Sequence, residues 1–326
     1  MTDRWTWHGG GLRAAQVRFG TGDLPWIDLS TGINPHRWPM QVREFDWAAL
    51  PDERDLQDLE AAAATHFGAN PACVCAVPGT EIGLRLMDSL IAGPAYHCAP
   101  SYRTHGVMLS QSEPVTNPRL SDADGATLIL ANPNNPDGRL RGREELHDLI
   151  TRRGRKGWLI VDEAFADTNP ALSVADEVAE GRRLLIFRSF GKYFGLAGVR
   201  LGFVVGPPSF LAAVRQKLGA WPLSAAAIAI GTAAYRDRDW ISRMRLRLTA
   251  EAVSLDTVLS EAGLRPIGAC PLFRLVETDN AQALFETLAA RAILTRPFIE
   301  NPRWLRFGLP ADENAFVRLK EALVHG

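Results

Sequence analysis

The chain has 326 residues, 46% of them hydrophobic and 22% charged, and 36 Lys and Arg against 37 Asp and Glu leave a formal net charge of -1. That length and composition describe a globular protein with a large core and exclude a disordered chain. The near-neutral balance argues against nucleic acid or a membrane surface as the partner, since both call for a basic excess on one face.

Residues up to about Pro39 are rich in glycine, tryptophan and proline without sustained periodicity, and predict an irregular arm. From Asp55, Leu56, Leu59, Ala63 and Phe67 recur at helical spacing and Gly68 stops the helix. Short apolar runs at 73–77, 127–131, 158–161, 184–187 and 203–205 then alternate with helical patterns at 81–91, 143–153 and 209–218. Continuous apolar strands separated by helices predict an α/β fold with a mostly parallel sheet covered on both faces. Beyond Trp221 the pattern turns α+β, with helices at 224–235 and about 239–262 and strand-like pieces at 272–276, 293–295 and 304–308. The chain thus reads as three segments: an arm (1–39) joining a small domain, a large domain (40–221) and a small C-terminal domain (222–326).

Cys73, Cys75, Cys98 and Cys270 are too few for a disulfide framework, and C-x-C lacks zinc-site spacing, so they read as core residues and no metal is expected. The opening MTDRWTWHGGG carries charge and glycine where a secretory signal needs an apolar run. The apolar stretch 221–235 contains Pro222 and Ser224 and is shorter than a membrane span. A cytoplasmic protein is expected.

Three polar motifs leave three of the predicted strands: ANPNNPDG (131–138), VDEAF (161–165) and RSFGKYFGLAGVRLG (188–202). Open α/β sheets bind ligands at the carboxyl ends of their strands, so an amide cluster, an acid and a lysine are predicted to converge there. Asp162 ends an apolar strand and calls for a cationic partner. Lys192 lies in a glycine-bounded turn suited to imine formation, flanked by Ser189 and Arg200 as phosphate donors. PGTE (78–81) stands between a strand and a helix and faces an anion with backbone N–H groups. Lysine, acid and phosphate cradle together specify pyridoxal 5'-phosphate (PLP), an electron sink whose pyridine nitrogen pairs with an acid. Plainer readings stand beside these. Thr80 and Glu81 could simply start a helix, Asn134 and Asn135 could form turns, and Tyr102 could be an ordinary half-buried tyrosine. Ser189 to Lys192 is also the S-x-x-K of penicillin-recognising acyl-serine enzymes, but the S-D-N and K-T-G elements they need are missing from the sequence. A PLP-type scaffold kept as a regulator is the non-enzymatic alternative.

S-x-x-K followed by Arg200, with N-P-x-N-P-x-G and D-E-A-[FY] upstream, resembles the PLP enzymes of aminotransferase fold type I, in the group of histidinol-phosphate aminotransferases and threonine-phosphate decarboxylases. The resemblance spans about residues 8 to 310. It implies a large domain with a mostly parallel sheet, a smaller α+β domain and a homodimer. Lys192 would join the cofactor and Asp162 would face its pyridine nitrogen. Asn135 would donate to the 3'-oxygen and Tyr102 would stack on the ring. Gly79, Thr80, Glu81, Ser189 and Arg200 would hold the phosphate. Arg306, in WLRFGLP, would grip the substrate's α-carboxylate, with Arg296, in LTRPF, nearby. HGGG (8–11) and STGINP (30–35) are similar to stretches of the decarboxylases, which implicates His8 and Asn34 in closing over a phosphorylated amino acid. Phe165 stands where the aminotransferases usually carry tyrosine, and it also reads as a plain apolar wall. The chain departs from the pattern at Leu50, where a tyrosine often reaches the partner subunit's phosphate, at Gly11 and at Asp137. The implied reaction is decarboxylation of L-threonine O-3-phosphate in cobalamin biosynthesis, with histidinol-phosphate-type transamination as the alternative.

Overall fold

The structure is a computed structural model that describes residues 5, 9–20, 22, 24–40 and 45–324. The chain divides into two compact units. One holds residues 37–135 and 139–245; the other gathers the described residues of 1–36 with 136–138 and 246–326. The division falls inside the helix Arg238–Glu261, after Arg245, whereas the sequence placed a boundary near residue 221. A helical repeat runs unbroken through that point, so periodicity carries no trace of it.

The first unit is built on a seven-stranded sheet in the order Val74–Val77, Gly202–Val205, Leu184–Ser189, Leu159–Asp162, Thr127–Ala131, Ala95–Ala99, Ser112–Thr116. Every neighbouring pair is parallel except the two made by Gly202–Val205, which runs against both its neighbours. The five strands from Val74–Val77 to Thr127–Ala131 are buried at every residue, which is why they read as continuous apolar runs. Ile129, Ile160, Leu185, Phe187 and Val204 share a single core cluster with Leu84 and Met87 from one helical stretch and Leu211 and Val214 from another. Each such side chain contributes roughly 1.5–3 kcal/mol by leaving water. Two strands of this sheet went unread in the sequence. Ala95–Ala99 carries Tyr96 and His97, and the edge strand Ser112–Thr116 carries Glu113 and Pro114, so neither shows an apolar run.

The second unit has an antiparallel sheet in the order Arg296–Pro297, Trp304–Gly308, Phe273–Glu277, Pro266–Ile267, and a separate parallel pair of Ile27–Asp28 with Ile293–Leu294. That pair ties the N-terminal segment into the unit. The segment is not wholly irregular, because Leu12–Phe19 is a helix closed by Gly20 in the left-handed conformation. Only Ala15 of that helix is buried, and Val17 is exposed, so its apolar residues leave no one-sided stripe to read. Trp5, Phe19 and Phe285 pack as an aromatic trio with ring centroids 5.9 Å apart.

Candidate functional site

The register of the large sheet sets the first unit's polar residues along one edge. Ala131 pairs with Asp162, and Asp162 with Phe187, so Asn132–Asn135, Asp162 and Ser189 leave adjacent parallel strands at the same rim. Gly202 opens the reversed strand directly opposite Ser189. A Cβ on Gly202 would lie 2.6 Å from the Thr80 nitrogen, and one on Gly79 would lie 2.8 Å from Arg200 Nη2. Gly79 also has φ +84°, a conformation side chains resist. Gly79, Thr80, Ser189, Arg200 and Gly202 are thus gathered in one place. The helix Thr80–Leu86 begins there, and the N–H groups of Thr80 and Glu81 have no carbonyl of the helix to bind. A guanidinium, two hydroxyls and these N–H groups form a donor set that fits a phosphate, in a cradle that a Cβ at position 79 would fill.

Glu81 takes a different part. Its carboxylate accepts from Tyr102 OH at 3.0 Å, Thr104 Oγ1 at 2.9 Å and Arg85 Nε at 3.0 Å, so only its backbone N–H can face an anion. The acid therefore fixes the Tyr102 ring. Burial, with Glu81 and Asp162 adding to it, pushes the Tyr102 phenol up to about 12 despite the hydrogen bond to Thr104.

Asp162 is buried at the tip of its strand, its Oδ1 accepting from the Ala164 N–H at 3.0 Å and its Oδ2 lying 3.0 Å from His105 Nε2. A carboxylate accepts, so the imidazole carries a proton on Nε2. His105 is completely buried, its Nδ1 without a hydrogen bond, and its ring stands at 85° to that of Tyr102 with centroids 5.7 Å apart. Sequence reasoning passed over His105. Its signal is adjacency in space, 57 residues from Asp162 along the chain, and no local spacing reports that.

Lys192 sits in the single turn Phe190–Tyr193 that comes directly after Ser189, partly buried, with Nζ 5.9 Å from the centre of the buried Phe165 ring. Asn135 is partly buried in the middle of its motif. Asn134 is a structural tie: its Nδ2 donates to the Pro100 carbonyl at 3.0 Å, anchoring the turn that bears Tyr102. Behind the rim lies a buried ionic cluster. Arg188 donates from Nη1 to Glu163 at 2.9 Å and from Nη2 to Asp167, and His66 Nε2 lies 2.9 Å from Asp167. Burial alone would raise Asp167, but Arg188 and then His66 hold it well below the ordinary carboxylate value.

In the second unit Arg296 and Arg306 are direct cross-strand partners, both buried, stacked on Phe298 at 4.8 Å and Phe273 at 4.9 Å. Arg306 Nη2 donates to the Ser30 carbonyl at 2.9 Å. Burial, and next the neighbouring Arg296, hold the Arg306 guanidinium well below its usual value. Asn34 is buried and accepts the His36 N–H at 2.9 Å. His8 lies outside the described residues. Among the described residues no group of His, Cys, Asp and Glu could hold a metal ion, all four cysteines are unbridged and buried, and no helix is long and apolar enough to cross a membrane.

Comparison with known proteins gives these features a family. A model of the family "Aminotransferase class I and II" matches residues 52–318. A threonine-phosphate decarboxylase from Sinorhizobium sp is 40% identical over 97% of this chain and 97% of its own. One from Pseudomonas aeruginosa is 39% identical with the same coverage of both. Among solved structures, histidinol-phosphate aminotransferase from Sinorhizobium meliloti, in complex with pyridoxal-5'-phosphate, superimposes with a TM-score of 0.83 at 20% identity, over 97% of this chain and 94% of that one. With its reversed strand, its phosphate-shaped donor set and its lysine-bearing turn, the chain belongs to the aminotransferase class I and II family.

Proposed function

We propose that this chain is a PLP-dependent carboxy-lyase that converts L-threonine O-3-phosphate to (R)-1-amino-2-propanol O-2-phosphate and CO₂, a step of cobalamin biosynthesis. The observation that carries the reading is the end-to-end likeness, at about 40% identity, to two threonine-phosphate decarboxylases. Gly79, Thr80, Ser189 and Arg200 would hold the cofactor phosphate, Lys192 its aldehyde carbon, Asp162 its pyridine nitrogen, Asn135 its 3'-oxygen and Tyr102 its ring face. When bound, PLP would supply an electron sink for the bond that breaks at the substrate Cα.

The protein's own residues decide what that sink is used for. Asp162, steadied by His105, keeps a proton on the pyridine nitrogen. Arg306 grips the α-carboxylate and so sets its angle, with Arg296, Asn34 and His8 left for the phosphate end of the substrate. Lys192 Nζ returns a proton to Cα once CO₂ has left. Because each ~1.4 kcal/mol is tenfold in rate, a modest bias in the carboxylate's orientation is enough to favour CO₂ loss over proton removal. Phe165 offers no phenol to the cofactor oxygen, leaving that contact to Asn135.

The deciding experiment mixes PLP-loaded protein with L-threonine O-3-phosphate and measures CO₂, beside histidinol phosphate with 2-oxoglutarate. CO₂ release with little amino transfer is expected; the reverse would overturn the reading in favour of the aminotransferase. We further propose a cytoplasmic homodimer. The exposed Trp47, Leu50 and Trp221 of the first unit support the dimer, and four buried thiols support a reducing compartment. Sedimentation at micromolar concentration should give twice the chain mass.

A further inference from the structure

Within the second unit, Ser30 is a junction of polar bonds to which the proposed reaction gives no part. It is 1% exposed. Its N–H and its hydroxyl both donate to Asp28 Oδ1, at 2.9 and 2.6 Å. Its Oγ accepts the Gly10 N–H at 2.8 Å, and its carbonyl accepts from Arg306 Nη2 at 2.9 Å. The strands on either side brace it: Leu29 donates to the Leu294 carbonyl, and Gly308, two residues beyond Arg306, donates to the Leu29 carbonyl, both at 2.7 Å. A Cβ on Gly9 would fall 2.3 Å from the very carbonyl oxygen that Arg306 uses. The bare Cα at position 9 lets the arm press against that oxygen, and the Gly10 bond to the hydroxyl holds it there.

We infer that Ser30 is a positioning residue for Arg306, and through it for a carboxylate-bearing ligand, with the Asp28 carboxylate and the Gly9–Gly10 backbone as its braces. The inference deepens the decarboxylase reading and rests on it for the identity of the ligand. Its physical content is that one hydroxyl fixes both the arm and the oxygen to which the guanidinium is moored. What Ser30 Oγ governs on this account is the angle at which the guanidinium is held.

Two phosphate monoesters separate this from a general structural role: 3-(phosphonooxy)butanoate, which keeps the carboxylate, and isopropyl phosphate, which lacks it. Titrated calorimetrically into PLP-loaded protein, Ser30→Ala is expected to weaken the first by about tenfold, the scale of a lost buried hydrogen bond, and to leave the second unchanged. Equal weakening of both ligands, or of neither, would overturn the inference. Should Ser30→Ala fail to fold, Ser30→Cys, close in volume and poorer as an acceptor, must show the same carboxylate-selective loss; wild-type affinity for both ligands would overturn it equally. Wild-type CO₂ release from L-threonine O-3-phosphate, measured alongside, reports on the decarboxylase reading itself, so the two ideas fail separately.

Discussion

The candidate site residues of the two units bury charge in different ways. In the sheet unit, buried acids meet cations or imidazole: Asp162 faces His105, and Glu163 and Asp167 share Arg188. In the other unit two guanidiniums occupy facing positions on neighbouring strands, and Arg306 is driven below its ordinary value by burial and by Arg296. The first pattern is self-neutralising and holds a scaffold in shape. The second sets two buried guanidiniums side by side, with Asp28 acting against their repulsion at Arg306, and such a pair suits a ligand that brings negative groups.

Substitutions can break this contrast. The largest effect belongs to Lys192→Ala, which should abolish CO₂ release and the visible absorbance of the loaded protein while far-UV circular dichroism stays unchanged. Retained turnover would remove the lysine from the reaction. Next come two replacements of opposite sign. Arg188→Met strands Glu163 and Asp167 in the interior and should cost about 3–5 kcal/mol in denaturant unfolding. Arg306→Met relieves a crowded cation, so the melting temperature should hold or rise, yet CO₂ release should fall about 100-fold for want of the charge-assisted contact. Equal destabilisation by both would erase the distinction between the units.

Smaller effects sharpen it. His105→Ala leaves Asp162 without its imidazole and should weaken PLP retention about tenfold in fluorescence titration, with threefold or less being too small for a buried bond of this kind. The smallest effect is one of pH. Tyr102 is raised to about 12, so its phenol is held neutral in the fold. The associated stability is complete below the unfolded value near 10 and is lost as pH climbs toward 12, because there the unfolded chain gives up its proton first. Tyr102→Phe should flatten that decline in alkaline melting curves.

How much of this was legible in advance depended on the range of the interaction. Thr127–Ala131, Leu159–Asp162 and Leu184–Ser189 could be read because a strand buried on both faces must be apolar throughout. The motifs at their ends could be read because a parallel sheet delivers strand ends to one rim. His105 could not, since its meaning lies in contact with a carboxylate far along the chain. Ser30 announced itself only as part of STGINP; that its hydroxyl, amide and carbonyl between them meet Asp28, Gly10 and Arg306 is a fact of folding. Glu81 shows the converse. A helix start beside a glycine suggested a backbone phosphate contact at Glu81, and it gave no sign that the side chain also clamps Tyr102, Thr104 and Arg85.

The strand Gly202–Val205 runs against its neighbours, and this reversal reaches beyond topology. A parallel strand can bring to the edge only the residues at its own finish, whereas a reversed one brings those at its start. Ser189 arrives at the rim as its strand finishes and Arg200 arrives as the next is about to start, so a short stretch of chain supplies an anchor from each direction of travel. Had that strand instead taken the common heading, the arginine would have been delivered to the far end of the sheet, the width of a core away from the serine.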